Sequence, residues 1–171
     1  SYMTYGNSVI PEALLAAYER TGDTKYREVA YQSFDFLLSR IIIDNEIHVI
    51  SNKGWAQRDQ PRAEPKGGEQ PIDVAYTIIA LDRFYRLTKD EHYKKTIHIA
   101  FEWFLGRNHI QQIVYNPVTG GCFDGLEERT ININQGAEST ISYLLARLKM
   151  EAYLPIANDA NELTNEEIQL K

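Results

Sequence analysis

Leu14-Leu15-Ala16-Ala17-Tyr18-Glu19-Arg20-Thr21-Gly22-Asp23-Thr24-Lys25-Tyr26 and, 67 positions further on, Leu81-Asp82-Arg83-Phe84-Tyr85-Arg86-Leu87-Thr88-Lys89-Asp90-Glu91-His92-Tyr93 are two versions of one design. Leu14, Ala17 and Tyr18 match Leu81, Phe84 and Tyr85, and Asp23, Tyr26 and Phe34 match Asp90, Tyr93 and Phe101. Apolar residues three and four apart mark a helix face on each side of a short polar turn. The Asp that follows each turn is a natural N-cap for the next helix. A helical hairpin is therefore used twice.

Working outward, the first helix opens at Val9, with Asn7 or Ser8 as cap and Pro11 tolerated in its first turn. Its apolar face is expected to hold Ile10, Leu14, Ala17 and Tyr18. The second helix runs to about Arg40 with Tyr26, Val29, Ala30, Phe34, Leu37 and Leu38 as its stripe. The second hairpin spans about Pro71 to Leu105. A third helix begins near Gly136 and passes through Ile141, Leu144, Leu145 and Leu148 to about Tyr153. Ile41 to Ile50, β-branched and broken by Asp44-Asn45, reads as a small β-hairpin. The fold class is all-α: repeated antiparallel helical hairpins with a small β-hairpin and two long loops. Residues 1–154 form the domain; residues 155–171 are a polar, acidic tail, either a short helix over Asn165 to Leu170 or a frayed end.

The chain's 171 residues are enough to bury a substantial core, and 43% of them are hydrophobic. A net charge of −6 disfavours a phosphate backbone as partner, so nucleic acid is not expected. No apolar run approaches the ~20 residues of a membrane span, and no basic-then-apolar leader opens the sequence, so a cytoplasmic setting is the expectation. One cysteine, Cys122, allows no internal disulfide and reads as a small buried apolar residue. The four histidines lack zinc-ligand spacing and the paired glycines make no nucleotide cradle, so neither a metal nor a cofactor is expected.

Chemistry concentrates in the long loops, Ser51 to Gln70 and His109 to Gln135, each leading into a hairpin helix. Loops beyond about 12–15 residues are uncommon in compact domains and are often functional. If the odd-numbered helices share one side, these loops converge at one end. They carry aromatic faces, amides and charged groups of the kind that bind sugar C–H surfaces and hydroxyls: Trp55, Arg58, Glu69, Gln70, Tyr115, Asn132, Asn134 and Gln135 as binding residues, with Asp73, Asp124 and Glu138 as candidate catalytic carboxylates. Two carboxylates would need to stand about 5–5.5 Å apart for a retaining glycosidase and about 6.5–9.5 Å for an inverting one. Each has a plainer role. Asp73 and Glu138 sit in first helical turns, where acids favour the positive dipole end. Asp124-Gly125 suits a tight turn, and Trp55 can plug the core.

Glu69-Gln70-Pro71-Ile72-Asp73, Phe101-Glu102-Trp103-Phe104-Leu105-Gly106-Arg107-Asn108, Thr119-Gly120-Gly121-Cys122-x-Asp124-Gly125-Leu126 and Asn132-x-Asn134-Gln135-Gly136-Ala137-Glu138-Ser139-Thr140 occur in that order. The set resembles the C-terminal all-helical region of bacterial family 1/family 4-type glycosyltransferases, itself similar to the (α/α) toroids of six-hairpin glycosidases. The resemblance covers about Pro11 to Leu148. It implies a partial (α/α) toroid that binds sugar or oligosaccharide at its loop end, with a sugar-nucleotide-binding domain N-terminal to it. A non-catalytic scaffold and a glycoside hydrolase with an acidic pair are the alternatives.

Overall fold

The computed structural model describes residues 2–54, 56–58 and 67–154. Five α-helices carry the fold: α1 (Val9–Thr21), α2 (Thr24–Ile41), α3 (Pro71–Thr88), α4 (Glu91–Glu102) and α5 (Ala137–Glu151). The repeat is visible in the turns. Gly22 and Lys89, at matching positions, are both left-handed (φ 74° and 59°), and their N–H groups donate to Tyr18 O and Tyr85 O. Asp23 and Asp90 then cap α2 and α4 by accepting from the backbone N–H of Lys25 and His92. Pro71 opens α3, where its missing N–H costs nothing.

α3 is the central element and packs against α1, α4 and α5. Phe84 on α3 lies 4.4 Å from the Phe34 ring of α2 and 5.4 Å from the Tyr93 ring of α4 (centroids), with Tyr31 edge-on at 5.2 Å. Two residues at repeat positions, Phe34 and Tyr93, thus meet on a third. α3 is pinned to the far end of α5 by Asp82, which accepts from Lys149 Nζ at 2.7 Å and Tyr153 Oη at 2.6 Å. Burial opposes its charge, but these two bonds hold the carboxyl below the usual range. The result is an all-α partial (α/α) toroid in which α1, α3 and α5 form one row.

Short strands tie the loops down. β1 (Tyr2–Met3) pairs antiparallel with β4 (Ala56–Gln57). β2 (Ile42–Ile43) and β3 (Glu46–Ile47) form the hairpin expected from Asp44-Asn45, whose positive φ values (51° and 58°) suit a two-residue turn. β5 (Gly67–Glu69), β6 (Gly125–Glu127) and β7 (Ile131–Asn132) make an antiparallel sheet that joins the loop before α3 to the loop before α5.

Several expected faces are rotated. On α1 Leu14 and Tyr18 of the expected face pack partly buried against the core and Leu15 and Pro11 are buried beside them, whereas Ile10 is 64% exposed; a buried hydrogen bond between Ser8 and Thr77 (2.8 Å) ties the helix's entry to α3. Tyr26 and Val29 face outward: α2 has no helix on its far side, unlike α4, whose Tyr93 is buried. On α5 the face against α3 and α4 carries Ser139, Ser142, Tyr143, Ala146 and Met150, and Ile141, Leu144, Leu145 and Leu148 are exposed. Tyr143 decides this orientation by packing on Phe101, Phe104 and Tyr115. The expected tail helix lies outside the described residues. No helix among the described residues is long and apolar enough to cross a membrane.

Phe84 is fully buried where both hairpins meet. Phe84→Ala is expected to cost about 3–5 kcal/mol in urea-induced unfolding, with α-helical circular dichroism lost in one step.

Candidate functional site

The β5–β6–β7 sheet builds the site by register. Pairing Gly67 with Glu127 and Glu69 with Leu126 brings the start of α3 beside a segment more than fifty residues away, and β7 continues the surface to Asn132. Gly125 has φ 150° and a Cβ there would collide with the Glu69 carbonyl, so the strands approach this closely only with glycine at that position.

Asp124 fastens this sheet to α5. Its Oδ1 accepts from Gly136 N–H and from Ser139 Oγ, both at 2.7 Å, and its Oδ2 accepts from the Asn134 side-chain amide. Its own N–H donates to Asn134 O at 2.8 Å. Partial burial works against ionisation, but the bonds from Ser139, Asn134 and Gly136 keep the carboxyl below the usual range. A Cβ at Gly136 would sit 2.9 Å from Asp124 Oδ1, so a larger residue there would make the carboxylate shift from its latch position.

These constraints enclose a polar hollow of about 360 Å³. Of the residues singled out in the sequence, Glu69, Gln70, Asp124, Asn132 and Glu138 line it; Asn52, Glu127 and Ser139 also line it and were not singled out. Ser139 carried a readable signal, since it stands three residues after the Gly136 cap of α5. Asn52 and Glu127 arrive through tertiary register alone. Glu69 is 2% exposed at the floor: its Oε2 accepts from Trp103 Nε1–H at 3.0 Å, and its Oε1 lies 3.5 Å from His109 Nδ1. His109 Nε2 faces the Glu127 carbonyl at 2.9 Å and so carries a proton. Glu138, in the first turn of α5, is exposed and has no hydrogen bond or ion pair among the described residues.

The remaining candidates lie elsewhere. Asp73 is 6% exposed in the first turn of α3, next to a smaller hollow shared with Asn7, Ser8 and Thr77. Its Oδ1 accepts from Gly6 N–H at 2.5 Å, and its buried Oδ2 has no partner among the described residues. Burial drives this carboxyl up to about 6, against the Gly6 bond and assisted by the charge of Glu138. Asn134 is spent on the latch, and Gln135 Oε1 accepts from the Thr119 hydroxyl at 2.6 Å, outside the hollow's lining. The Tyr115 ring stacks on Tyr143 at 4.3 Å as part of the packing around the core. Arg58 is exposed just after β4, and Trp55 lies outside the described residues. Cys122 is fully buried, and burial pushes its thiol up to about 12. Among the described residues no group of three His, Cys, Asp or Glu side chains could hold a metal ion.

No protein-family model matches the sequence, and no curated protein matches it. Among solved structures, the chain is similar to an inactive variant of the α-1,6-mannanase GH76A of Salegentibacter sp. HEL1_6 in complex with α-1,6-mannotriose, with a TM-score of 0.62 and 17% identity over 88% of this chain and 42% of the mannanase. It is also similar to a family 76 glycoside hydrolase from a bovine Bacteroides thetaiotaomicron strain, with a TM-score of 0.55 and 17% identity over 85% of this chain and 33% of that one. The chain thus spans about two fifths and one third of these proteins. The likeness is one of fold, the α/α toroid of glycosidases. The mannanase variant is inactive with two consecutive aspartates replaced by asparagine; this sequence contains no two consecutive aspartates.

A carboxyl group raised by burial destabilises the fold once ionised. For Asp73 the native state favours the protonated form, so its contribution is full below about pH 4 and is lost as pH rises through about 6. Asp73→Asn, which keeps an acceptor for Gly6, is expected to stabilise the protein at pH 7.5 by up to about 3 kcal/mol, and the gap should close by pH 4 in paired denaturation curves.

Proposed function

We propose that the hollow between Glu69–Gln70 and Asp124–Ser139 is a saccharide-binding site of a glycosidase-like toroid domain. The observation that carries this reading is the convergence of two remote polar segments on one concavity. Amides from Asn52, Gln70 and Asn132 and carboxylates from Glu69 and Glu138 supply both donors and acceptors, the mixture that vicinal hydroxyls require. The volume falls in the range of small-ligand sites, roughly 300–1,000 Å³. The mannotriose complex of the mannanase supports a neutral oligosaccharide as the first ligand to try.

A second reading, glycoside hydrolysis, is favoured by one feature. Asp73 and Glu138 are close enough for the charge of one to raise the other, and they stand in opposite environments. A buried carboxyl held protonated near pH 6 and an exposed, unpaired carboxylate are the acid and base a glycosidase needs. The glycosyltransferase setting has less support, since the two solved structures named above are glycoside hydrolases.

Titration with α-1,6-mannotriose, followed by amide chemical shifts, tests the proposal. Shifts should cluster at Asn52, Gln70, Asn132 and Ser139, and Glu138→Gln should weaken binding at least about tenfold, while Lys25→Ala, on the far turn, should leave it unchanged. A panel of neutral oligosaccharides that moves none of these amides would overturn it. Release of mannose by the wild type, lost in both Glu138→Gln and Asp73→Asn, would establish the hydrolytic version.

A further inference from the structure

Charge in the hollow is unevenly cancelled. Four carboxylates line it, Glu69, Asp124, Glu127 and Glu138, and among the described residues no lysine or arginine does. On the sheet side each acid has a basic neighbour: Glu127 pairs with Lys53, and Glu69 Oε1 lies 3.5 Å from His109 Nδ1. The α5 side differs. The donors to Asp124, which are Gly136 N–H, Ser139 Oγ and the Asn134 amide, are all neutral, so they hold the carboxylate ionised without removing its charge. Glu138 is exposed and has no hydrogen bond or ion pair among the described residues. Against these two anions the start of α5 offers only about half a positive charge. Their field extends past the hollow, since Glu138 helps to keep the buried Asp73 carboxyl protonated.

We propose that the hollow selects an amino sugar, whose hydroxyls meet the amides of Asn52, Gln70 and Asn132 and whose ammonium group sits against Glu138 within the field of Asp124. This rests on the saccharide reading of the same hollow and adds the charge class of the ligand. A metal ion suits the α5 wall badly, because both Asp124 oxygens already accept hydrogen bonds and Glu138 is left as the single carboxylate there to coordinate it. An ammonium group asks for less. It is a compact donor of three hydrogen bonds, and one carboxylate with neutral oxygens around it is enough. A concave wall concentrates the field of its charges, so the preference acts where the ligand sits and not over the surface at large. The same field turns away a uronic acid, whose carboxylate would enter an acidic cavity. Glu138 is thus the specificity-determining residue, a carboxylate without a structural bond in a hollow whose other three acids are engaged.

Three monosaccharides test this. Mannosamine and mannuronic acid each differ from mannose at one substituent, the first cationic and the second anionic at about pH 6. Titrations of the whole chain, read at the amides of Gln70, Asn132 and Ser139, should give mannosamine a dissociation constant about tenfold below that of mannose, and mannuronic acid one at least about tenfold above it. In Glu138→Gln, an exposed change that leaves the interior alone, the advantage of mannosamine over mannose should fall below about threefold. Mannosamine binding no tighter than mannose would overturn the proposal and leave the saccharide reading standing. An advantage that survives intact in Glu138→Gln would also overturn it. Failure of all three sugars to bind would do the same, and mannotriose then decides the saccharide reading separately, by whether it moves the amides of the hollow.

Discussion

Asp124 holds three otherwise separate pieces of chain at one point. Its two oxygens receive the backbone N–H that opens α5, a serine hydroxyl one turn inside that helix, and the amide of Asn134 from the approach loop. Sheet β5–β6–β7 can align the two long loops, but alone it would leave α5 free to tilt. The carboxylate fixes the angle between sheet and helix, and the hollow is the space left between them. Gly125 is needed because its contact with the Glu69 carbonyl is closer than a side chain permits, and Gly136 leaves the Asp124 carboxylate undisturbed. This gives Asp124 a structural assignment at the very place where an acid could otherwise be read as a reacting group. Its oxygens are already occupied.

Against that, Asp73 and Glu138 form a pair whose environments diverge. Three helices begin at this end, and acids near helix starts are ordinarily stabilised as anions by the dipole. Asp73 departs from that rule because desolvation exceeds the help it receives from Gly6, and a nearby carboxylate adds to the cost. Its second oxygen is buried without a hydrogen-bond partner among the described residues, which adds to the cost of ionising it.

Much of the architecture was legible in the residues. The offset of 67 located both hairpins, their turns and both aspartate caps, because capping and periodicity are local and act through a few consecutive residues. Asp44-Asn45 declared its turn for the same reason. What was not legible is rotational. On α1 both Leu14 and Leu15 reach the core, Leu15 fully buried, and what local spacing does not show is that Ile10 stays outside where Ser8 bonds Thr77, 69 positions away. On α5 the apolar spacing pointed to the wrong face, since the interior contact needs Tyr143 and small neighbours more than it needs aliphatics. The site divided along the same line. Glu69, Gln70, Asn132 and Glu138 were recognisable as polar residues flanking helix starts, whereas Asn52 and Glu127 enter through strand register and Tyr115 leaves through stacking.

That misread face has a physical meaning of its own. Stability here is organised around α3, whose buried residues include Val74, Ile78, Leu81 and Phe84 and which touches three other helices. The aromatic cluster at Phe84 and the Asp82–Lys149–Tyr153 pin both lie on its contacts. The outer stripe of α5 is on the side away from α3 and makes no contribution to that core. Aliphatic residues at such positions carry a solubility cost with no return in folding. Bare apolar residues on α1 and α2 match them, whereas α3–α4 leaves only Leu87 among its large apolar side chains exposed. Charge placed on the outer face of α5 therefore leaves the interior that positions the hollow in place.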